Sequence, residues 1–230
     1  MCTLTAFVDS QHQLVVTMNR DEAFNRGDGE FHHSTNSEPF DYPTDERAGG
    51  TWFGVNKNGL VLGLLNRYQD TYNAGDLSRG FLIPQLLGEA ADAKEASQVL
   101  KQLELKRFNP FDLIAVAGSE IVHHAWTGSQ LLLKQHTLQR PYIRTSSAID
   151  LPAVSAFRQQ LFDDWLSSAE VTAHNALNFH RHEDTTNLSY SICMDRGFSQ
   201  TKSITQAVVD SAQSTYQVNY VAPQELRPVS

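Results

Sequence analysis

Two short runs of alternating apolar and polar residues open the chain, with a polar turn at residues 9–12 between them. The runs are Cys2–Val8 and residues 13–18. Alternation with a period of two is typical of strands that bury one face, and a short polar connection between two such runs predicts a β-hairpin. In an antiparallel hairpin the end of the second strand lies beside the start of the first. We therefore expect residues 19–22 next to Cys2.

Further strands and helices follow in alternating groups. Strand patterns, including a hairpin and a three-strand meander, occur at residues 52–56, 60–65, 113–117, 121–126, 131–134, 188–194, 203–209 and 216–221. Helical spacing of apolar residues occurs at residues 80–87, 92–103, 151–166 and 169–179. Asp92 is expected to cap the second helix, with Glu95 three residues on. Groups of strands and helices in this order predict two sheets between two helical layers.

The longest polar passage in the sequence is residues 27–48, which is rich in Asp, Glu, His, Ser and Pro. It lacks an apolar period, and such composition is typical of exposed connections. We expect a loop here that roofs any site near Cys2. No linker is evident, and 230 residues of 40% hydrophobic composition predict one compact domain over residues 1–230.

Composition excludes several classes of function. The chain has 18 basic and 26 acidic residues, a formal net charge of −8, which disfavours a nucleic-acid or anionic-membrane partner. No segment predicts a membrane span, a secretory signal or a transit peptide, so the expected location is cytoplasmic. Two cysteines, Cys2 and Cys193, exclude a disulfide framework. The histidines lack metal-ligand spacing, so no metal or cofactor is predicted, and the oligomeric state stays open.

Cys2 carries the most informative chemistry in the sequence. Removal of Met1 would leave a free α-amine on the carbon that also bears the thiol. The reference pKa of an α-amine is about 7.7 to 8.0 and that of a thiol is about 8.5, so one residue would supply both a nucleophile and a base. The alternative is that Cys2 is simply a small residue at the start of a strand.

The predicted hairpin brings Arg20 and Asp21 within reach of this thiol. A positive Arg20 would favour the thiolate, while Asp21 could hold the α-amine or the guanidinium through charge-assisted hydrogen bonds. The alternative is that Arg20 and Asp21 form an ordinary surface pair.

Several short strings in the sequence carry a family resemblance. The N-terminal Met-Cys and the string Asn-Arg-Asp-Glu at 19–22 precede Gly-Gly-Thr-Trp-Phe-Gly-Val at 49–55, Gly-Leu at 59–60, Leu-Asn-Arg at 65–67, Ser-Arg-Gly at 78–80 and Asn-Pro-Phe-Asp-Leu at 109–113. In this order and spacing the chain resembles the NRDE family, also called the transport and Golgi organisation protein 2 family. The resemblance is dense in the first half of the chain and thin in the second.

The resemblance implies an α+β fold, the four-layer αββα sandwich of the N-terminal nucleophile hydrolases, with two mostly antiparallel sheets between helical layers. The chain is more distantly similar to bile salt hydrolases, penicillin V acylases and acyl-CoA:isopenicillin N acyltransferases, which cut or transfer acyl groups at amide bonds. This similarity implies that Cys2 attacks, that Arg20 and Asp21 orient it, and that Asn66 belongs to the oxyanion hole. Asn19 and Glu22 belong to the same family string and are expected to support the site.

The sequence departs from the acylase pattern at two places. Residues 144–148 are Arg-Thr-Ser-Ser-Ala, without the second oxyanion asparagine, so Ser146 or Ser147 is the candidate donor. A later arginine expected ahead of Asp195 is also absent, and Asn187 is the nearest polar substitute. Trp52 is an aromatic candidate for contact with an apolar acyl group, with a place in the core as its alternative.

Two functions remain open from the sequence. The first is an N-terminal-cysteine amidohydrolase or acyltransferase that acts on the amide bond of a small acylated substrate. The second is a non-catalytic binding or trafficking protein for an acyl-CoA, lipid or haem-like ligand, in which Cys2 is a ligand contact or an axial sulfur. Retention of Met1 would favour the second function, because a blocked α-amine cannot act as a base.

Overall fold

A computed structural model describes residues 2–72 and 75–226 of the chain. Two antiparallel sheets form its centre. The first sheet has five strands, in the spatial order β10 (Tyr142–Ser146), β1 (Cys2–Val8), β2 (Leu14–Ala23), β11 (Ser199–Asp210) and β12 (Thr215–Val221). The second has seven strands in chain order: β3 (Asp28–His32), β4 (Phe40–Asp45), β5 (Phe53–Asn56), β6 (Val61–Asn66), β7 (Phe111–Ala117), β8 (Glu120–Trp126) and β9 (Leu131–Thr137).

Helices cover the outer face of each sheet. They are α1 (Leu82–Glu89), α2 (Ala93–Gln102), α3 (Leu151–Ser168), α4 (Ala173–His180) and the short α5 (Pro223–Leu226). The first pair packs on the second sheet, whereas α3 packs on β10 and α4 packs on β2 and β11 of the first sheet. The predicted four-layer αββα sandwich is therefore confirmed.

Each interface between layers buries its own apolar cluster. Between the sheets lie side chains such as Leu4, Met18 and Phe53, each fully buried. The alternation in β1 and β2 follows from this packing, because one face of each strand meets the other sheet and the opposite face meets helices. Among the residues the structure describes, no helix is long and apolar enough to cross a membrane.

The opening hairpin forms as predicted. Strand β1 pairs with β2 so that Cys2 lies opposite Arg20 and Thr3 lies opposite Asn19. The hairpin of β5 and β6, the meander of β7, β8 and β9, and all four predicted helices are also present. Asp92 caps α2 by accepting from the backbone N–H groups of Lys94 and Glu95.

Two sequence predictions are wrong in detail, and one strand is missing from the predictions. The polar passage at residues 27–48 is not a loop throughout, because β3 and β4 form the edge of the seven-stranded sheet there. Edge strands carry many polar residues, which masks their period. Residues 188–194 form successive turns instead of a strand, with the Ser191 N–H donating to the Asn187 carbonyl. Strand β10, not predicted, pairs with β1 and places Ser146 opposite Cys2.

Two glycines let distant segments meet at the end of the sandwich where Cys2 lies. A Cβ on Gly50 would lie 2.7 Å from the carbonyl carbon of Gly80, and a Cβ on Gly80 would lie 2.8 Å from the backbone nitrogen of Thr51. The Thr51 N–H donates to the Gly80 carbonyl at 3.0 Å. Both positions therefore require glycine for close backbone approach, and the contact fixes residues 78–81 against the segment that leads into β5.

We predict that Gly80→Ala destabilises the protein by about 1–3 kcal/mol, because the new methyl group meets backbone atoms that cannot move independently. Gly88→Ala in α1 is the matched control, since its Cβ would lie 3.6 Å from the Phe40 ring in ordinary contact. Removing a helical glycine should stabilise the fold by about 0.5–1 kcal/mol. Urea unfolding of the two variants measures both values. Equal effects from the two substitutions would contradict the close-approach argument.

Candidate active site

Cys2 begins a strand that is paired on both sides, which fixes its position tightly. It lies opposite Arg20 of β2 and Ser146 of β10, and its backbone N–H donates to the Ser146 hydroxyl at 3.1 Å. Only 7% of the residue is exposed. Ser146, predicted as a substitute oxyanion donor, instead contacts the nitrogen that would become the α-amine once Met1 is removed.

A cleft of about 90 Å³ opens at Cys2. Its lining comes from β1, β2, the segment before β5, the end of β6 and the turn before α1, and includes the predicted site residues Cys2, Arg20, Asp21, Glu22, Trp52 and Asn66. The structure therefore gathers six of the ten predicted site residues around one small space. A cleft of this size admits the reacting end of a substrate and not a whole drug-sized molecule.

The Arg20 guanidinium lies between two carboxylates of the other sheet. Its Nη1 is 2.6 Å from Asp28 Oδ1, and its Nη2 is 2.5 Å from Asp45 Oδ2. The guanidinium also lies over the Trp52 ring, 4.5 Å from the ring centroid. Arg20 is 3% exposed, so this is a buried, stacked ion-pair cluster and not the surface pair of the alternative interpretation.

Asp21 belongs to a different polar cluster, on the helical side of the first sheet. Its Oδ1 accepts a hydrogen bond from the Thr201 hydroxyl at 2.7 Å, and its Oδ2 lies 3.6 Å from Nη2 of Arg158. A β-bulge in β11 between Thr201 and Ser203 falls opposite this part of β2 and directs Thr201 toward Asp21. Arg158 comes from α3 and is fully buried.

The environment of the Cys2 thiol opposes its ionisation. Burial raises the pKa of Cys2 above that of an ordinary thiol. The backbone N–H of Asp21 and the charge of Arg20 lower that pKa, but they do not overcome burial. Arg20 is limited in this role because Asp28 and Asp45 already compensate its charge.

Asn66 ends β6 at the rim of the cleft. Its side-chain Nδ2 donates to the Tyr68 hydroxyl at 3.0 Å. An amide nitrogen carries two N–H groups, so this bond orients the side chain and leaves the second N–H for another acceptor. A side-chain amide N–H is the kind of donor that an oxyanion hole uses.

Besides Ser146, which contacts the Cys2 nitrogen, three of the predicted residues lie outside the cleft lining. Asn19 is fully buried on the helical side, where its Nδ2 donates to the carbonyls of His180 and Ile192. Ser147 donates to the Ile149 carbonyl. Asn187 accepts from the Ser189 hydroxyl within the turns that follow α4. Asn19 therefore joins β2 to α4, and the other two organise loops.

Several polar residues around the site escaped the sequence analysis. They are Asp28 and Asp45, which hold Arg20, Arg158 and Thr201, which hold Asp21, and Arg79, which lines the cleft. The string at 78–80 was a signal for Arg79, because it belongs to the family resemblance. No local pattern distinguishes the other four from ordinary polar residues. Among the described positions, no group of three or more His, Cys, Asp or Glu side chains is arranged to hold a metal.

Comparison with known families agrees with this geometry. The sequence matches the family model described as Transport and Golgi organisation 2 over residues 1–222. The chain belongs to this family. The match includes Cys2, the Arg20 cluster and the segments that line the cleft. No curated protein matches the sequence.

Solved structures show the same fold for this Transport and Golgi organisation 2 family member. An N-acylethanolamine-hydrolyzing acid amidase ortholog from Caenorhabditis elegans superposes with a TM-score of 0.64 at 14% identity, covering 95% of this chain and 100% of that chain. A mutant of the conjugated bile acid hydrolase from Clostridium perfringens superposes with a TM-score of 0.56 at 11% identity, covering 96% and 92% respectively. At such low identity these likenesses establish the N-terminal nucleophile hydrolase fold.

We predict that Arg20→Met destabilises the protein by about 3–5 kcal/mol, because it leaves the buried Asp28 without a cation and leaves Asp45 with Arg26 alone. Adding Asp28→Asn and Asp45→Asn to that variant should restore part of the loss. Arg107→Met is the control, since Arg107 forms an exposed pair with Asp76 and its replacement should destabilise the protein far less than Arg20→Met. Urea unfolding gives all three values, and the absence of any rescue would contradict the ion-pair argument.

We also predict an elevated titration midpoint for the Cys2 thiol in the chain that carries Met1. Because burial raises its pKa, the thiolate fraction at neutral pH should be lower than that of a free thiol. The rate of alkylation by iodoacetamide, measured against pH in a Cys193→Ser background, should keep rising beyond pH about 8.5. A plateau below that pH would contradict the prediction.

Proposed function

We propose that this protein is an N-terminal-cysteine amidohydrolase or acyltransferase that acts on the amide bond of a small acylated compound. The observation that supports this most is the shared cleft of Cys2 and Asn66, in which the nucleophile and an amide donor line one small space. Hydrogen bonding of the Cys2 nitrogen to Ser146 gives the prospective α-amine a fixed orientation. The fold shared with two amidases is consistent with this chemistry.

The first half of the proposed reaction forms an acyl-enzyme after Met1 has been removed. The Cys2 α-amine takes the thiol proton, and Sγ attacks the carbonyl carbon of the substrate. The carbonyl oxygen becomes an oxyanion that accepts the second N–H of Asn66. When the carbon–nitrogen bond breaks, the proton on the α-ammonium passes to the leaving nitrogen, which departs as an amine.

The second half consumes the thioester on Cys2. In hydrolysis a water molecule attacks, its proton passes to the α-amine, and the acid leaves as the thiol is restored. In acyl transfer an acceptor amine takes the place of water. Both outcomes use the same residues, so access of water or of an acceptor to the cleft decides between them.

Arg20 and Asp21 support these steps without bonding to the substrate's reacting atoms. Arg20 fixes the start of the nucleophile strand against the other sheet through Asp28, Asp45 and Trp52. The negative charge of Asp21 near Cys2 favours the protonated form of the α-amine during the reaction. It also raises the pKa of the Cys2 thiol, so the thiol keeps its proton until the substrate is bound.

One observation favours the alternative function, a protein that holds an acylated ligand without turnover. Burial raises the pKa of the Cys2 thiol, and the Arg20 charge that would favour the thiolate is met by two carboxylates. A protonated thiol is a weak nucleophile. In that case Cys2 would contact the ligand in the same cleft.

The state of the N-terminus separates the two functions. Intact mass of the untagged protein should show loss of Met1, and a thiol-directed acylating probe at neutral pH should add one acyl group that maps to Cys2. Removal of Met1 leaves a free α-amine beside the Cys2 thiol. Because this amine can take the thiol proton, we expect Cys2 to react although it is buried. Retained Met1, with Cys2 no more reactive than Cys193, would contradict the enzyme and favour the binding protein.

Variants test the roles on any amide substrate that the wild-type protein turns over. Cys2→Ser should abolish turnover, and Cys193→Ser should not, because Cys193 is a buried thiol outside the cleft. Asn66→Ala should lower kcat by about 10²- to 10³-fold through loss of an oxyanion donor. Asn187→Ala is its matched control and should leave kcat unchanged. Full activity in Cys2→Ser would overturn the proposal.

A further inference from the structure

The charges that line the cleft do not all pair with one another. The lining includes three arginines and three acidic residues, which are Arg20, Arg26, Arg79, Asp21, Glu22 and Asp45. Arg20 and Arg26 share Asp45, at 2.5 Å and 2.9 Å, and Arg26 also pairs with Glu22 at 3.2 Å. Asp21 pairs with Arg158 at 3.6 Å. Within residues 2–72 and 75–226, every carboxylate of the lining thus pairs with an arginine other than Arg79.

Arg79 itself forms one hydrogen bond in the described part of the chain. Its Nη1 donates to the Pro110 carbonyl at 2.9 Å. A guanidinium carries five N–H groups in a planar fork, so this bond anchors the side chain and leaves donors for a planar anion. The close contact of Gly50 and Gly80 holds the backbone next to Arg79, so the guanidinium is fixed before any ligand arrives.

The cost of burying the Arg79 charge is not offset by a carboxylate, as it is for Arg26. Burial lowers the pKa of Arg79 and the charge of Arg26 lowers it further, against opposing contributions from Tyr68, Tyr72 and Cys2. Burial also disfavours the charge of Arg26, but the hydrogen bond to Asp45 and the charges of Glu22 and Asp45 together more than compensate, and the pKa of Arg26 is raised. A partly buried cation without a carboxylate is costly in a folded protein, and an anionic ligand would remove that cost.

We propose that Arg79 is an anion-recognition residue, and that the substrate carries a carboxylate a few bonds from the carbonyl that Cys2 attacks. This inference rests on the proposed function, because it takes Cys2 as the point of attack. Carboxylate and guanidinium match in shape and pair through two parallel hydrogen bonds.

The size of the cleft selects a carboxylate near the reacting carbonyl over a distant phosphate. Arg79 and Cys2 line the same small cleft of about 90 Å³, so an anion held by Arg79 lies close to the carbonyl at Cys2. In an N-acyl amino acid the carboxylate is separated from the amide nitrogen by one or a few carbons. In an acyl-CoA the phosphates lie beyond the whole pantetheine arm and cannot reach Arg79 while the acyl carbonyl is at Cys2.

Binding measured without turnover tests this inference. In a Cys2→Ser background, isothermal titration calorimetry compares N-octanoylglycine, which carries the carboxylate, with N-octanoylethanolamine, which is neutral, and with octanoyl-CoA, which carries phosphates. We expect N-octanoylglycine to bind at least about tenfold more tightly than the neutral compound. A difference of this size is expected because the neutral compound lacks one charge-assisted hydrogen-bond pair. Equal affinities for the glycine and ethanolamine compounds would overturn the inference, as would tighter binding of octanoyl-CoA.

Arg79→Gln should remove that preference by weakening N-octanoylglycine alone, and Arg79→Lys should keep part of it because the charge remains. Arg140→Gln makes the same change of charge at an exposed residue outside the cleft and should have no effect. An unchanged preference in Arg79→Gln would overturn the inference. If that variant does not fold, the ligand comparison in the Cys2→Ser protein with Arg79 intact decides alone.

Failure of this inference differs from failure of the proposed function. If N-octanoylglycine is preferred through Arg79 but the wild-type protein, with Cys2 intact, turns over no amide, the anion site stands and the proposed enzymatic function is rejected. If the wild-type protein hydrolyses amides but N-octanoylglycine is preferred neither over N-octanoylethanolamine nor by the wild-type protein over Arg79→Gln, the enzyme stands and the anion site does not.

Discussion

The buried ion pairs of Arg20 hold the two sheets together where the nucleophile strand begins. Arg20 belongs to the first sheet, whereas Asp28 and Asp45 belong to the second, and the Tyr220 hydroxyl of the first sheet adds a hydrogen bond to Asp28 at 2.6 Å. Buried ion pairs contribute little net stability after desolvation, but they allow few alternative arrangements. Their effect here is to fix the distance between the strand of Cys2 and the wall of the cleft that faces it.

The parts of the fold that the sequence predicted depend on local periodicity. The opening hairpin follows from alternation and a short turn, and its register alone brings Arg20 beside Cys2. The same reasoning gave the wrong result for residues 27–48, because β3 is the edge strand of its sheet and β4 lies next to it, where apolar alternation is weak. The prediction of a strand at residues 188–194 was wrong for a different reason, since Ile192, Cys193 and Met194 are buried from turns and bends and not from a strand.

The residues of the candidate site show the same division between those that a local pattern predicts and those that tertiary packing brings in. Cys2, Asp21 and Asn66 follow from one hairpin, one strand end and the family strings. The partners of Arg20 and Asp21 do not, because tertiary packing decides which distant side chain meets a buried charge. Arg158 is an example: it lies on α3, far along the chain from Asp21, and an arginine in a helix has no local feature that marks it for burial. Asn19 shows the converse, since it lies in the family string yet serves the packing of α4.

Charge acts at two different ranges in this protein. The formal net charge of −8 opposes the binding of polyanions, because their many phosphates would lie against a large part of the acidic surface. In physiological salt that field fades within about 8 Å, whereas a partly buried cation is screened much less. A single small anion can therefore meet a favourable potential in the cleft of an acidic protein.

The contact between Gly50 and Gly80 has a consequence for how this family can diverge. Each glycine is required because the backbone of the other segment occupies the space that a side chain would need. A larger residue at either position becomes tolerable only after the facing segment has moved, and that movement would carry Arg79 with it. The two positions are therefore sterically coupled, and a chain in which one glycine is replaced would have to rebuild that wall of the cleft.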